Sequence, residues 1–319
     1  MGNRFTRGFS GRPPPRGGRA IMVLSARTVR ELKERRAALD ISLSTHLFVF
    51  HPLEDGVLSL FPKYGFPLGE LWAMPPHFPY RDDEAANAIA SRLSRLGVRI
   101  ASLHAPLYPD VRSYKKDRWY SLSSTDDAHR RDSVAATACA AGWLSRNGGG
   151  TVVLHTGFPP EQWYPHRWAA FLSSLNELVE SVPANVRFAV ENTPVDSGQV
   201  DVILDIVDRY PPGRVGVCLD LGHANIQENA LNAVRAAGRR LIHVHASDNH
   251  SAEDDHLVPG KGSIPWGRVI GALREVGFPG PFTVELRDYT RGEDPPYGSF
   301  DQILSECRGH LDRFLRDRP

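Results

Sequence analysis

The sequence predicts an α/β fold, a single (β/α)8 TIM barrel, and two observations carry that expectation. An apolar run of strand length that ends in a histidine or a carboxylate, then a turn, then a helical pattern, recurs along the chain. Polar groups at every strand exit are what a parallel barrel requires, because its functional groups collect at the C-terminal rim. The 319 residues also exceed the roughly 250 typical of such a barrel only by an arm and long loops. No linker rich in Pro, Gly or Ser divides the chain.

Taken in order, residues 1–24 read as a disordered basic arm with Arg4, Arg7, Arg12, Arg16 and Arg19, and residues 25–319 as the barrel domain. The arm is either a nucleic-acid or phosphate contact or an extension of no consequence. It lacks the apolar core of a secretory signal, so a cytoplasmic location is expected. A helix over 26–38 precedes strand 1 over 41–50, which ends near Thr45, His46 and His51. Strand 2 spans 65–74 with Glu70 at its middle, followed by an aromatic, proline-rich loop over 75–80. An amphipathic helix over 83–96 is stopped by Gly97, and strand 3 over 98–103 delivers His104.

A long loop over 107–124 has the length of a lid or binding loop. After a helix over 126–147, strand 4 (151–154) ends in His155, and after a helix over 167–182, strand 5 (187–190) ends in Glu191. A helix over 200–210 leads to the clearest stave, Val215-Gly-Val-Cys-Leu219, which stops abruptly at Asp220, Gly222 and His223. The helix 231–239, strand 7 (241–245), the helix 266–276, strand 8 (282–284) and a helix over 300–316 close the ring.

Composition narrows the function classes. Hydrophobic content of 41% and charged content of 24% suit a soluble globular protein, and a net charge of +1 gives no overall pull toward nucleic acid or anionic lipid. No apolar run approaches the roughly 20 residues of a membrane span. Cys139, Cys218 and Cys307 are odd in number, far apart and without a CxxC pair, which argues against a disulfide framework and fits a reducing compartment.

Placing the strands in order brings His104, His155, Glu191, Asp220, His245 and Glu285 to one rim. Carboxylates converging there repel unless a cation neutralises them. The mixed oxygen and nitrogen set suits Mn2+, Co2+, Mg2+ or Zn2+ rather than a thiolate-loving metal.

The motifs Leu-His104-Ala-Pro, Leu-His155-Thr-Gly, Glu191-Asn-Thr-Pro, Cys-Leu-Asp220-Leu-Gly-His223-Ala, His243-Val-His245-Ala-Ser-Asp248-Asn, Asp254-Asp-His256-Leu-Val-Pro-Gly260-Lys-Gly262 and Val-Glu285-Leu-Arg287 resemble the xylose isomerase-like barrel superfamily. That superfamily holds sugar phosphate isomerases and epimerases together with metal-dependent apurinic-site endonucleases. The resemblance to its isomerase branch implies one divalent metal held by Glu191, Asp220, His245 and Glu285, with Glu191 and Glu285 as the acid/base pair acting through a metal-stabilised enediolate. It implies that His104, His155, His223 and His256 line or close the substrate pocket, with Arg287 and Lys261 as helpers on the carbonyl side. The substrate is then a small sugar or polyol, with no nucleic acid or membrane partner and room for a homo-oligomer.

Other readings stand beside it. A related lyase or dehydratase would use the same site, and a sugar- or metal-binding barrel without turnover would need only part of it. The endonuclease branch implies three zinc ions, one on His104, His155 and Glu191, one on Glu191, Asp220, His245 and Glu285, and one on His223, Asp254 and His256. The motif phrasing and the interspersion of basic with acidic residues favour sugar chemistry. Trp72, Phe78, Tyr80, Trp119 and Tyr120 either stack on a sugar face above the rim or pack the loops.

Overall fold

Apolar residues alternate with polar ones along the short strands, and the sheet closes so that one set faces outward to the helices. The computed structural model describes residues 39–116, 118–157, 165–293 and 295–316; the arm over 1–24 and the helix expected over 26–38 lie outside them. The strands β1 (Asp40–Ser44), β2 (Leu68–Trp72), β3 (Arg99–His104), β4 (Gly150–His155), β5 (Val186–Glu191), β6 (Val215–Asp220), β7 (Leu241–Ala246) and β8 (Pro281–Val284) form one closed barrel in chain order. All neighbours are parallel, β1 on β8 included. That is the (β/α)8 fold the sequence predicts.

The main apolar core lies between strands and helices. Leu43, Leu71, Leu103, Val152, Leu154, Phe188, Val190, Val217, Leu219, Val244, Phe282 and Val284 all belong to it. Among the alternate positions Ser42, Glu70, Ser102, Thr151, His243 and Thr283 are buried and polar, and Val153, Ala189, Cys218 and Ile242 form a second, small apolar cluster. The barrel interior therefore carries a hydrogen-bonding layer beside a reduced share of the branched apolar filling usual for this fold. Gly216 lets the strands approach at the base of this interior, since a Cβ there would sit 2.7 Å from the Ile242 side chain.

Helices begin where side chains satisfy their first amides. Asp82 caps the helix Asp83–Arg95 by accepting from Ala85 N at 3.0 Å, and Asp126 caps Asp127–Arg146 by accepting from His129 N at 2.9 Å. Among the described residues no helix is long and apolar enough to cross a membrane.

Several boundaries differ from expectation. Strand 1 stops at Ser44 rather than running to residue 50, because the Ser44 hydroxyl accepts from His46 N and starts a 3-10 turn over Thr45–Phe48. That turn drives Leu47 and Phe48 into the core and leaves His46 at the barrel mouth. Strand 2 begins at Leu68, not residue 65, since Gly65 at φ 69° closes the short helix Leu60–Lys63 instead. Phe78 and Tyr80 do not stand above the rim: both are fully buried, and Phe78 packs edge-on against Trp143 with ring centroids 4.9 Å apart.

Candidate metal centre and active site

Each strand's last residues carry the chemistry to the C-terminal mouth. The ligand atoms of Glu191, Asp220, His245 and Glu285 all lie within 4.8 Å of one another, and all four residues are buried. His245 Nδ1 is 3.1 Å from Glu191 Oε1 and 3.1 Å from Glu285 Oε2. Asp220 uses Oδ1 to accept from His223 N at 2.7 Å, which caps the helix Leu221–Gln227, while its Oδ2 is buried with no hydrogen-bond donor. Asn192 fixes this residue from β5: its Oδ1 accepts from Asp220 N at 2.7 Å, and its Nδ2 donates to Asp220 O at 3.0 Å. Three carboxylates and one imidazole nitrogen converging in a buried pocket fit a hard or borderline divalent cation.

The electrostatics follow from burial and neighbours. Burial raises the Asp220 carboxyl to about 6, although His223 and His256 beside it pull the other way. Burial acts against the ionised Glu285 too, but the adjacent His245, with His46 and His256, holds that carboxyl down to about 2. Trp72 Nε1 donates to Glu285 Oε1 at 3.2 Å, so one oxygen of this glutamate is oriented from β2.

The loop after β7 supplies the second side of the site, and Asp248 builds it. Its Oδ1 accepts from Asn249 N and Ile264 N, and its Oδ2 accepts from Gly260 N and Trp266 Nε1, both at 2.8 Å. An antiparallel bridge between Asp248 and Leu257 completes the frame. His256 is held at φ 49°, a left-handed backbone uncommon outside glycine, and the frame directs its ring into the site. There His223 Nε2 and His256 Nε2 each lie 3.2 Å from Asp254 Oδ2, and His223 Nδ1 lies 2.7 Å from Asn192 O. Burial lowers His256, but Asp254 more than reverses this and lifts it to about 9. On the β4 side, His155 Nε2 and His104 Nε2 lie 3.2 and 3.5 Å from Glu191 Oε2.

A cavity of about 570 Å3 opens beside the cluster, lined by His46, Trp72, Tyr114, His256 and Arg287, among others. His46 lies between Trp72 and His256, its ring tilted against both at centroid distances of 4.6 and 5.1 Å. Arg291 lies 4.3 Å over the Phe50 ring at the outer wall.

The structure brings together His104, His155, Glu191, Asp220, His223, His245, Asp254, His256 and Glu285 in three groups, with Glu191 common to two. Arg287 lines the cavity, but Lys261 does not join it: Gly260 at φ 96° turns the chain, and Lys261 Nζ pairs with Glu306 at 3.0 Å. Glu70, Asn192 and Asp248 also brace this site, and the strand-end pattern of the sequence does not single them out. Glu70 sits beneath the cluster, 3.1 Å from His245 Nε2. A lone acid inside an otherwise apolar strand was the available sign.

These features define a (β/α)8 barrel with a carboxylate and imidazole cluster at its C-terminal rim. The chain belongs to the xylose isomerase-like TIM barrel family, whose model matches residues 58–304. An uncharacterized protein of Methanocaldococcus jannaschii is 31% identical over 157 residues, 45% of this chain and 54% of the relative. D-psicose 3-epimerase of Enterocloster bolteae is 41% identical over 83 residues, 26% of each chain. The chain thus spans about half the length of the first relative and about a quarter of the second. Fructoselysine 3-epimerase of Escherichia coli O157:H7 is 26% identical over 234 residues, 68% of this chain and 79% of the relative. The solved structure of a D-tagatose 3-epimerase-like protein superposes with a TM-score of 0.70 at 22% identity, covering 87% of this chain and 97% of that one. D-psicose 3-epimerase with D-tagatose from Clostridium cellulolyticum H10 gives 0.66 at 20% identity, over 88% and 100%. These likenesses show a shared fold.

Proposed function

We propose that the protein is a divalent-metal-dependent epimerase or isomerase acting on a ketose or a ketose derivative. The observation that carries the reading is the pair of buried glutamates, Glu191 and Glu285, each 3.1 Å from His245 Nδ1 in the group that Asp220 completes. The likeness to fructoselysine 3-epimerase over 79% of its length supports a sugar substrate.

Glu191, Asp220, His245 and Glu285 would hold the ion, and Mn2+, Co2+, Mg2+ and Zn2+ all suit that set. A divalent cation bound there polarises a substrate carbonyl and offsets the negative charge that develops when the neighbouring carbon loses its proton. Glu191 ends β5 and Glu285 follows β8, three strands further round the closed ring, so the two carboxylates reach the site from different strands. One takes the proton from one face of the carbon and the other returns a proton, which inverts or relocates the centre. Low-lying carboxyl values keep both ionised at neutral pH, ready to act as bases. The imidazoles of His223 and His256, joined through Asp254, address substrate oxygens from the β7 side, and Arg287 faces the same cavity.

The test is solvent deuterium exchange into a panel of D-psicose, D-tagatose, L-ribulose and fructoselysine. Wild type should incorporate deuterium beside the carbonyl only with metal present, and Glu191→Gln or Glu285→Gln should remove exchange while losing only part of the bound metal. Full activity in a chelated, metal-free sample would sink the reading.

A second reading has its own observation. The groups His104, His155, Glu191 and His223, Asp254, His256 each bring their ligand atoms within 4.8 Å. That is the distribution implied by the resemblance to three-zinc endonucleases. Elemental mass spectrometry on protein purified without chelators or a histidine tag separates the two. About one exchangeable ion per chain supports the epimerase; three tightly held zinc ions make abasic DNA the next substrate.

A further inference from the structure

Glu70 on β2 is a fully buried carboxylate that the proposed chemistry leaves without a task. Acids are almost never buried so completely unless paired. Its Oε1 lies 3.1 Å from His245 Nε2; its Oε2 lies 2.9 Å from His243 Nε2 and accepts from the Ser102 hydroxyl at 2.8 Å. The two irregularities in the strand ladder fall beside this network. Between β2 and β3 the register shifts at Gly69/Glu70, and between β6 and β7 it shifts at Val217/Cys218. Such bulges re-aim side chains near functional sites. Here they bring Glu70, His243 and His245 together inside the barrel.

His245 therefore has two distinct environments on one ring. Nδ1 faces Glu191 and Glu285 at the rim, and Nε2 faces Glu70 below. An ionised carboxylate has no proton to donate, so the contact with Glu70 is a hydrogen bond only if Nε2 carries the hydrogen. By the same rule Nδ1 also carries a proton while no cation is bound, since Glu191 and Glu285 can only accept from it. A cation seated among those carboxylates would displace that proton and take the Nδ1 lone pair, leaving Nε2–H on Glu70. Metal-bound imidazoles commonly depend on such an outer carboxylate for tautomer and ring orientation.

We propose that Glu70 is a positioning residue which fixes His245 as the Nε2–H tautomer with Nδ1 as ligand atom, and so sets the affinity of the rim for its cation. The proposal rests on the reading of His245 as a metal ligand. His243 and Ser102 brace Glu70 from the other side. A carboxamide at position 70 can accept through one oxygen only and cannot serve both imidazoles as the carboxylate does.

The experiment uses the full chain. Wild type, Glu70→Gln and Ser102→Ala are titrated with Mn2+ and Co2+ by calorimetry, and ring 15N shifts of His245 are recorded in wild type loaded with Zn2+. Glu70→Gln should weaken cation binding by about 10–100-fold. Ser102→Ala, which removes only the bond behind Glu70, should lower the melting temperature with little change in affinity. The nitrogen shifts should show a protonated Nε2 and a metal-bound Nδ1. A folded Glu70→Gln with wild-type affinity and a lower melting temperature reduces Glu70 to a structural role and overturns the proposal. A protonated Nδ1 in loaded wild type overturns it without any variant. So does a thiolate charge-transfer band with Co2+, which would seat the ion on Cys218, itself grouped with His243 and His245. If wild type binds no cation at all, the metal reading falls instead.

Discussion

Asp220→Asn should make the metal-free protein more stable while abolishing its response to metal. In the fold the Asp220 carboxyl is raised from 3.8 to about 6, chiefly by burial. A shift of about two units at 1.36 kcal/mol each is about 3 kcal/mol. The sign follows from proton counting. A raised acid binds its proton more tightly folded than unfolded, so ionising it costs stability as pH climbs from about 4 to about 6, and the full penalty persists above that. Asparagine removes the charge and keeps the Oδ1 acceptor that caps His223 N. Urea unfolding followed by circular dichroism in EDTA should therefore find Asp220→Asn more stable by about 2–3 kcal/mol at pH 7.5, with the gap shrinking below about 1 kcal/mol near pH 4. Mn2+ at a hundred times its dissociation constant should stabilise wild type by about 2.7 kcal/mol and the variant hardly at all. A variant less stable than wild type in EDTA at pH 7.5 would refute the idea of an uncompensated buried charge.

Three further outcomes are expected. Asn192→Ala strips the buried Asp220 backbone N–H and C=O of their partners; at about 1–3 kcal/mol per unsatisfied group, unfolding should show a loss of about 3 kcal/mol or more, with metal affinity falling in parallel. His77 donates from Nδ1 to His51 O at 2.8 Å, and burial lowers it to about 4. As a depressed base it supports the fold fully above about pH 6.5 and withdraws that support as pH falls toward 4, so His77→Asn should reduce the acid loss between pH 7 and 4.5 by roughly 2–3 kcal/mol in chemical denaturation. If the proposed one-ion reading holds, excess Zn2+ should inhibit turnover, and His155→Ala should relieve that inhibition; insensitivity to excess Zn2+ would argue against a second site sharing Glu191.

The barrel was legible because its strands announce themselves at both ends. Val215–Asp220 pairs β-branched apolar residues with an abrupt polar exit, and the same grammar located His104, His155, Glu191, His245 and Glu285. The features missed are those that local pattern does not encode. Four-residue helices such as Asp55–Leu58 are too short for a helical period to register. The helix Leu221–Gln227 depends on a cap from Asp220 that is visible only once the strand's end is known. The direction of Lys261 is set by the Asp248 frame and by Gly260, both of them tertiary matters. Glu70 was visible as an acid in a strand, but its meaning required the polar interior, which appears only when His243, Ser102 and Thr283 are brought around it.

Glu191 is where the two readings of the site exclude one another. Its Oε1 lies 3.1 Å from His245 Nδ1, in the four-ligand group, while its Oε2 lies 3.2 Å from His155 Nε2 and 3.5 Å from His104 Nε2. If one ion occupies the four-ligand group, Oε2 stays available and can take a proton from carbon. If a second ion occupies His104 and His155, both oxygens become ligands and the base is spent, so proton transfer through Glu191 and full metal loading cannot coexist. His155 is lowered, chiefly by burial, against the pull of Glu191, which keeps its imidazole neutral and competent for either task, hydrogen bond to substrate or bond to zinc. On these two readings the number of ions bound under working conditions would fix the chemistry, through this one carboxylate rather than through any change of fold.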